Sequence, residues 1–338
     1  MTKPHKTILI LTDDKPGHVS QSFGIARSLE SAFELDKREV KLKIRFKGLR
    51  FLMRFLANYI PTRLLGFTLP LFYKFEGRYD NCSNPIIVSS GGNTLYANIV
   101  INAATNGLNL YSGTPKQFST KLIDLIYTVV PQNGLSNNIV LDLPPVNIDP
   151  LEPNFTANTY ALLIGGDGAG YKYTTVDWNK LIQGLEALSK EHGIKWLITT
   201  SRRSGEEIEH LLENAFDKSY VSQLVLYRRK PEKIMSQYLQ LAEAIFCTED
   251  SLTMVSEAIY SGKKVYTLMP EAAAPDANDS AALQKYQTLE LLQRCSINNL
   301  SKAVITPKKG PVPLPNIDEQ ISLPVIDALT ARSAPESL

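Results

Sequence analysis

Again and again in this sequence, a short unbroken apolar run stops at a polar or glycine-rich loop and gives way to helix-spaced apolar positions. Residues 7–12 (TILILT) run into Asp13-Asp14-Lys15-Pro16-Gly17-His18, after which Val19, Phe23, Ile25, Ala26 and Leu29 recur at helical spacing. Positions 40–46 alternate through Val40, Leu42, Ile44 and Phe46, which predicts a second strand. Pro85 to Val88 then enter Ser89-Ser90-Gly91-Gly92-Asn93-Thr94 and a small-residue helix from Leu95 to Ala104, with further strands at 108–112 and 123–130. Buried strands that alternate with helices form a parallel sheet covered on both faces.

The alternation breaks once. Residues 141–156 hold four prolines, and then Tyr160 to Ile164 reopen the pattern into Gly165-Gly166. Helices follow at 176–192, 205–216 and 232–241, strands at 195–200, 221–227 and 244–247, then a helix from Ser251 to Ser261 and a strand at 264–268. The expected organisation is two Rossmann-like domains, 1–145 and 158–305. A C-terminal extension, 306–338, comes after them and ends in a loose tail. A length of 338 residues agrees, because single cores stop growing at roughly 250–300 residues.

Composition narrows the function classes. With 43% hydrophobic and 21% charged residues the chain is of ordinary globular type, and a net charge of only +2 argues against a nucleic-acid partner. The three cysteines, Cys82, Cys247 and Cys295, are widely spaced and show no zinc pattern, so reduced thiols in a cytoplasmic protein are expected. The N-terminus enters its first strand without a signal-peptide pattern. No metal and no cofactor is called for.

Residues 48–75 stand apart, dense in Phe, Leu, Ile and Tyr but carrying Arg50, Arg54, Arg63 and Lys74. Pro61 and the arginines exclude a clean membrane-spanning helix. Two readings stay open: a basic amphipathic helix lying in a membrane interface, or a core helix pair whose arginines reach out to water.

In an open α/β sheet, ligands sit beyond the carboxyl ends of the strands, and four such loops carry candidate chemistry. In the first, the helix N-terminus favours an anion and Gly17 allows an unusual backbone angle or close ligand approach. His18, the one histidine of four in a strand-to-helix loop, can take a proton at neutral pH. The alternative is a helix capped by Asp13 or Asp14 beside a solvated histidine. The second loop, Ser89 to Thr94, offers backbone donors and hydroxyls, though a tight turn with close helix packing explains its glycines nearly as well. The third, Thr199-Thr200-Ser201-Arg202-Arg203, suits a diphosphate, because guanidinium groups bind it bidentately; a solvated basic pair balanced by Glu206, Glu207 and Glu209 is the plain alternative. In the fourth, Ser251 and Thr253 open a helix that can hold phosphate, and Glu257 on the same helix can accept both hydroxyls of a ribose; the alternative is a capping box with a surface glutamate.

Asp14-Lys15-Pro16-Gly17-His18 with Gln21, Thr200-Ser201-Arg202-Arg203, and Asp250-Ser251-Leu252-Thr253-Met254-Val255-Ser256-Glu257-Ala258 with Gly262-Lys263 occur in one order across both halves. On these residues the chain resembles the ELM1-like family of bacteria and plants, named for mitochondrial fission in plants. That family looks like the GT-B glycosyltransferases, in which two Rossmann-like domains face each other across a cleft. The resemblance implies that Glu257 binds the ribose and that Ser251, Thr253 and Arg202 contact the phosphates. It would also put a basic pair after Ser89-Ser90-Gly91, where this chain has Gly92-Asn93.

The expectation is therefore a metal-independent GT-B transferase. His18, or Asp14 if His18 only positions the acceptor, is the base. Lys15, Gly17, Gln21, Ser90, Gly91, Asn93, Gly165, Gly166, Ser201, Arg202, Arg203, Asp250, Ser251, Thr253, Met254 and Glu257 line the substrates. The donor is a nucleotide sugar, a co-substrate rather than a cofactor. The acceptor is a glycan or lipid-linked glycan, such as a lipopolysaccharide core, reached from the inner face of the cytoplasmic membrane through 48–75. A nucleotide-sugar epimerase of the same shape and a non-catalytic adaptor are the alternatives.

Overall fold

The structure is a computed structural model that describes residues 3–79, 82–148, 155–303, 305 and 311–333. It divides into two compact units, Met1–Ile148 with Pro315–Leu338, and Asp149–Leu314.

The first unit comprises β1 (His5–Thr12), α1 (Pro16–Leu29), β2 (Glu34–Ile44), α2 (Arg50–Tyr59), α3 (Leu69–Phe72), β3 (Tyr73–Glu76), β4 (Ile86–Ser90), α4 (Leu95–Thr105), β5 (Leu108–Ser112), β6 (Leu125–Thr128) and β7 (Asn138–Val140). The sheet order is β3-β2-β1-β4-β5-β6-β7, parallel throughout except for the antiparallel pair β2·β3. Ile8 to Leu11 and Ile86 to Val88 are fully buried, as a sheet covered on both faces requires. The chain leaves β1 in one direction to build β2 and returns to its other side to build β4. The crevice between β1 and β4 is thus the switch point, where the loops after these two strands converge.

The second unit comprises β8 (Thr159–Ile164), α5 (Thr175–His192), β9 (Lys195–Thr200), α6 (Gly205–Asn214), β10 (Val221–Val225), α7 (Met235–Leu241), β11 (Ala244–Thr248), α8 (Leu252–Tyr260), β12 (Lys264–Met269), α9 (Ala277–Thr288) and β13 (Gln293–Ser296). Its all-parallel sheet runs β10-β9-β8-β11-β12-β13, the 3-2-1-4-5-6 order of a Rossmann fold. The switch point lies between β8 and β11. Thr174 closes a capping box on α5, and Gly193, with φ +69°, ends that helix.

The C-terminal extension, weakly periodic in sequence and expected to be loose only at its end, carries a helix that reaches into the first residues of that tail. Residues Ile317–Ser333 form α10, which packs on α1 of the first unit. Ile317, Ile321 and Val325 are buried at four-residue spacing. Tyr127 donates to the Ile321 carbonyl at 3.0 Å, Gln320 Nε2 donates to Asp142 at 2.7 Å, and Arg332 pairs with Asp124 at 2.6 Å. Residues 334–338 of the expected tail lie outside the described residues.

The 48–75 segment holds two helices of unequal length. Only α2 and the one-turn α3 are α-helical, joined by 3-10 turns, and α2 buries just Met53 and Ala57. Among the described residues no helix is long and apolar enough to cross a membrane. Cys82, Cys247 and Cys295 form no disulfide among the described residues.

Candidate functional site

At the switch point of the first unit, the buried carboxylate is Asp13, not Asp14. Asp13 Oδ1 accepts from the Lys15 amide at 3.0 Å, while Oδ2 faces His18 Nδ1 at 2.9 Å and accepts from Asn93 Nδ2 at 2.8 Å. Burial opposes ionisation of Asp13, but the hydrogen bonds, His18 first, outweigh it and hold the carboxyl below its ordinary value. An ionised carboxylate can only accept, so His18 Nδ1 carries the hydrogen and, in the neutral ring, the lone pair is on Nε2. With its side chain 26% exposed, His18 is reachable by a substrate. Asp14, the alternative base of the sequence reading, is exposed and makes no side-chain hydrogen bond among the described residues. Sequence reasoning named Asp14 of the two adjacent aspartates, and the one bonded to His18 is Asp13.

The β4–α4 loop completes this arrangement. Gly91 has φ +77°, and a Cβ there would lie 2.1 Å from His18 Cε1, so the imidazole seats where only glycine leaves room. Asn93 Oδ1 accepts from Arg50 Nη2 at 2.8 Å, and its carbonyl accepts from the Tyr73 hydroxyl at 2.8 Å. A continuous line of hydrogen bonds thus runs from α2 to His18. Gln21 Oε1 accepts from Ser90 at 2.7 Å and from Ser112 at 3.1 Å, binding α1 to the ends of β4 and β5. Lys15 is exposed. Gly17 lies in the first turn of α1 and is not among the positive-φ residues, so of the two readings given for it, an unusual backbone angle or close ligand approach, the first is absent.

In the second unit the loops after β8, β9 and β11 are tied together. Gly165 N donates to Thr248 Oγ1 at 2.7 Å, and its carbonyl accepts from Ser201 Oγ at 2.6 Å and Ser204 Oγ at 2.7 Å. A Cβ on Gly165 would fall 2.1 Å from the Asp250 carboxylate, and one on Gly166, at φ +136°, 2.0 Å from the Arg203 carbonyl. These glycines allow the chain segments to touch. Asp250, expected to line the substrate, is buried, and Arg203 Nη2 pairs with it at 2.5 Å. Arg203 is thereby held by the protein, whereas Arg202 is exposed and makes no side-chain hydrogen bond among the described residues.

Ser251 is the N-cap of α8, accepting from Met254 N at 3.4 Å. Thr253, Met254 and Glu257 follow, all half-buried, with Thr253 and Glu257 one turn apart on one face. Glu257 has no hydrogen bond or ion pair among the described residues, and burial pushes its carboxyl up to about 7. It is not the solvated surface glutamate of the plain alternative. The neighbouring Glu249 is the opposite case: Arg294 clamps it at 2.7 Å through both Nε and Nη2, and Thr267 and Tyr171 donate to it at 2.7 and 3.1 Å. Sequence reasoning missed Arg294 and Tyr171, which lie far from Glu249 in the chain.

The family model of Mitochondrial fission ELM1 matches residues 16–293 of the chain. The protein belongs to this family. The chain also shows a partial likeness to Uncharacterized protein RP120 of Rickettsia prowazekii (strain Madrid E), 24% identical over 156 residues; the match spans 44% of this chain and 42% of that protein's length. Among solved structures, this ELM1-family chain is similar to the UDP-GlcNAc 2-epimerase of Methanocaldococcus jannaschii, with TM-score 0.56, 11% identity and coverage of 97% of this chain and 99% of that one. It is also similar to the glycotransferase of kitacinnamycin, with TM-score 0.50, 11% identity and coverage of 98% and 100%. At such identities the likeness shows the fold, which is GT-B with two parallel-sheet α/β units.

Proposed function

We propose that the protein is a glycosyltransferase that moves a sugar from a nucleotide-sugar donor to a hydroxyl of a glycan or lipid-linked glycan, a lipopolysaccharide core being one such acceptor. The observation that carries this reading is His18 held by Nδ1 on the ionised, buried Asp13, with Nε2 left free at a strand's carboxyl end. A base so oriented takes the proton of the acceptor hydroxyl as its oxygen bonds to the anomeric carbon and the bond from that carbon to the phosphate oxygen breaks. Asp13 stabilises the imidazolium that forms, as the buried aspartate does in a Ser-His-Asp triad.

The second unit supplies the donor contacts in this reading. Glu257 accepts the ribose hydroxyls, whose hydrogen bonds favour its ionised form. Arg202 and the first turn of α8, at Ser251 and Thr253, take the charge of the departing nucleoside diphosphate. The buried members of both acidic pairs, Asp13, Glu249 and Asp250, are already engaged by protein donors, which favours charge neutralisation by Arg202 and the helix over a divalent ion. Transfer is accordingly expected to persist in EDTA.

Screening UDP-, GDP-, CMP- and TDP-sugars by thermal shift identifies the donor, since a ligand at about a hundred times its dissociation constant stabilises by about 2.7 kcal/mol. Transfer assays of His18→Ala and Glu257→Ala follow, and unchanged rates in both would sink the assignment. Isomerisation of the donor without acceptor would make the protein an epimerase, and binding without any turnover an adaptor.

A further inference from the structure

The described residues expose seventeen large hydrophobic side chains, and nine of them fall between Phe46 and Leu71. So dense a cluster marks an interaction surface, whereas single exposed hydrophobics need no explanation. On α2 the pattern is two-sided. With about 100° per residue, Phe51, Phe55 and Tyr59 share one face with Leu52, while Met53 and Ala57 lie on the opposite face. Met53 and Ala57 pack into the core with Leu65, Leu69 and Phe72, and Phe51 and Tyr59 are each 73% exposed. Beyond the helix, Leu64 and Phe67 are 60% and 72% exposed on the turns. The helix therefore buries a narrow inner stripe and presents a wider aromatic one outward.

Charge indicates what the outer stripe meets. Eight of the chain's 36 Lys and Arg lie between residues 40 and 75, and none of its 34 Asp and Glu, so the remainder of the molecule is net negative. Arg45, Arg50, Arg54, Arg63 and Lys74 make no ion pair among the described residues; Arg50 is spoken for by Asn93 and Arg45 by the Pro70 carbonyl, while Arg63 is exposed. A second copy of this surface would bring like charges together. A structured acidic protein partner would call for free polar groups within the stripe to fix its register, and the polar side chains of α2 beside its Phe, Leu and Tyr are already engaged, Asn58 by Gln117 and Ser119, Arg54 by Gln117 and Arg50 by Asn93. A bilayer asks only for apolar area, aromatic side chains at headgroup depth and basic residues facing anionic lipid.

We propose that the outer face of α2, with the turns that follow it, docks on an anionic lipid bilayer. The proposal takes its purpose, access to a lipid-linked acceptor, from the glycosyl-transfer reading, but its chemistry does not depend on it. Docking is peripheral, since α2 is too short to span and Pro61 ends it.

The test is co-sedimentation of the full chain with vesicles of phosphatidylcholine alone, or with about a third phosphatidylglycerol, at low and high salt. Binding is expected only to the anionic vesicles and to weaken with salt. Arg63→Ser is expected to lower partitioning about fivefold, from about 1 kcal/mol per basic residue. Phe51→Ser with Phe55→Ser should lower it at least tenfold, since burying each ring contributes about 1.5–3 kcal/mol. These side chains lie outside the core, so unchanged melting temperatures establish that the variants fold. Equal binding to neutral vesicles, full binding by the Phe variants, or no binding would overturn the proposal. So would lipid-free self-association that the Phe variants abolish, which would make the surface a contact between copies. A donor thermal shift on the same variants separates the two ideas: nucleotide-sugar binding without vesicle binding ends only the docking proposal, and vesicle binding without transfer ends only the enzymatic one.

Discussion

Each unit ends a switch-point strand in two consecutive acidic residues, Asp13-Asp14 after β1 and Glu249-Asp250 after β11, and the two pairs are used in opposite ways. In the first unit the buried carboxylate meets a histidine, with only Asn93 and a backbone amide beside it, so a titratable ring edge is left for chemistry. In the second unit each carboxylate meets an arginine, and both are locked into the framework. The carboxylate left for a ligand there is Glu257, a turn and a half into the helix and without a partner among the described residues. A buried acid is thus available for function according to whether the protein supplies its cation, not according to its place after a strand.

The most severe way to break this contrast is to neutralise Asp13. Asp13→Asn would still accept from the Lys15 amide through Oδ1, but its amide group would face His18 Nδ1 and Asn93 Nδ2 donor to donor. The imidazole then has to change tautomer or turn away. We expect transfer to fall by about 10²–10⁴-fold with donor affinity retained, an effect comparable to loss of His18 itself. Steady-state kinetics beside donor titration checks this, and a fall in donor affinity alone would count against it.

The second unit's version is a loss of stability. Glu249→Gln leaves Arg294 without its charge partner inside a network that also holds Thr267 and Tyr171, and breaking such a buried pair costs about 3–5 kcal/mol. Chemical denaturation would show it as a lower midpoint, and Glu249→Gln with Arg294→Met should recover part of the loss. If Glu249→Gln instead abolished donor binding at full stability, Glu249 would be a ligand group.

Much of this was readable from the sequence, and the failures have physical causes. Strand β5 was expected at 108–112 and is Leu108–Ser112, and the helix expected over Leu95 to Ala104 is Leu95–Thr105, because buried elements carry unbroken apolar signals. Strand β2 begins at Glu34, six residues before its alternation does, because Glu34, Asp36, Lys37, Arg38 and Glu39 mask the pattern. Helix α10 was hidden by Pro324 inside it and by the prolines before it, although Ile317, Ile321 and Val325 keep a helical spacing. Among the candidate residues, Glu257 was named from its place on the helix that Ser251 and Thr253 open, and it is half-buried. Asp13 was not separable from Asp14, since a one-residue difference in which side chain turns inward has no signature in composition. The Arg203–Asp250 and Arg294–Glu249 pairs join residues brought together only by the sheet order.

Gly91 offers a smaller break in the first unit. Gly91→Ala places a methyl group where the His18 ring sits and strains a backbone at φ +77°. Displacing a base by about 1 Å can cost about 10²-fold in rate. The expected result is lowered kcat with the melting point only slightly reduced, read in the same assays; an unchanged kcat would remove the ring-seating role.

The gentlest probe is the unpaired Glu257, and its value lies in two effects of opposite sign. With its carboxyl raised to about 7 against an ordinary 4.5, the folded protein holds a proton that the unfolded chain releases between these values. Stability supplied by the protonated form is present below about 4.5 and is lost as pH rises through 7, so at pH 8 Glu257 weakens the free protein. Glu257→Gln removes this penalty: its melting point should exceed that of the unmodified protein at pH 8, and the difference should shrink toward pH 4.5. Donor binding should move the other way, because a carboxylate that accepts two ribose hydroxyls must first lose its proton. Affinity should fall as pH drops below 7 in the unmodified protein, by up to about tenfold per unit, and Glu257→Gln should bind about tenfold more weakly at pH 8 and lose this pH dependence. A merely structural glutamate would not produce both signs. If Glu257→Gln were less stable at pH 8, the carboxylate would have a partner within the protein after all, and the contrast between the two acidic loops would lose its functional half.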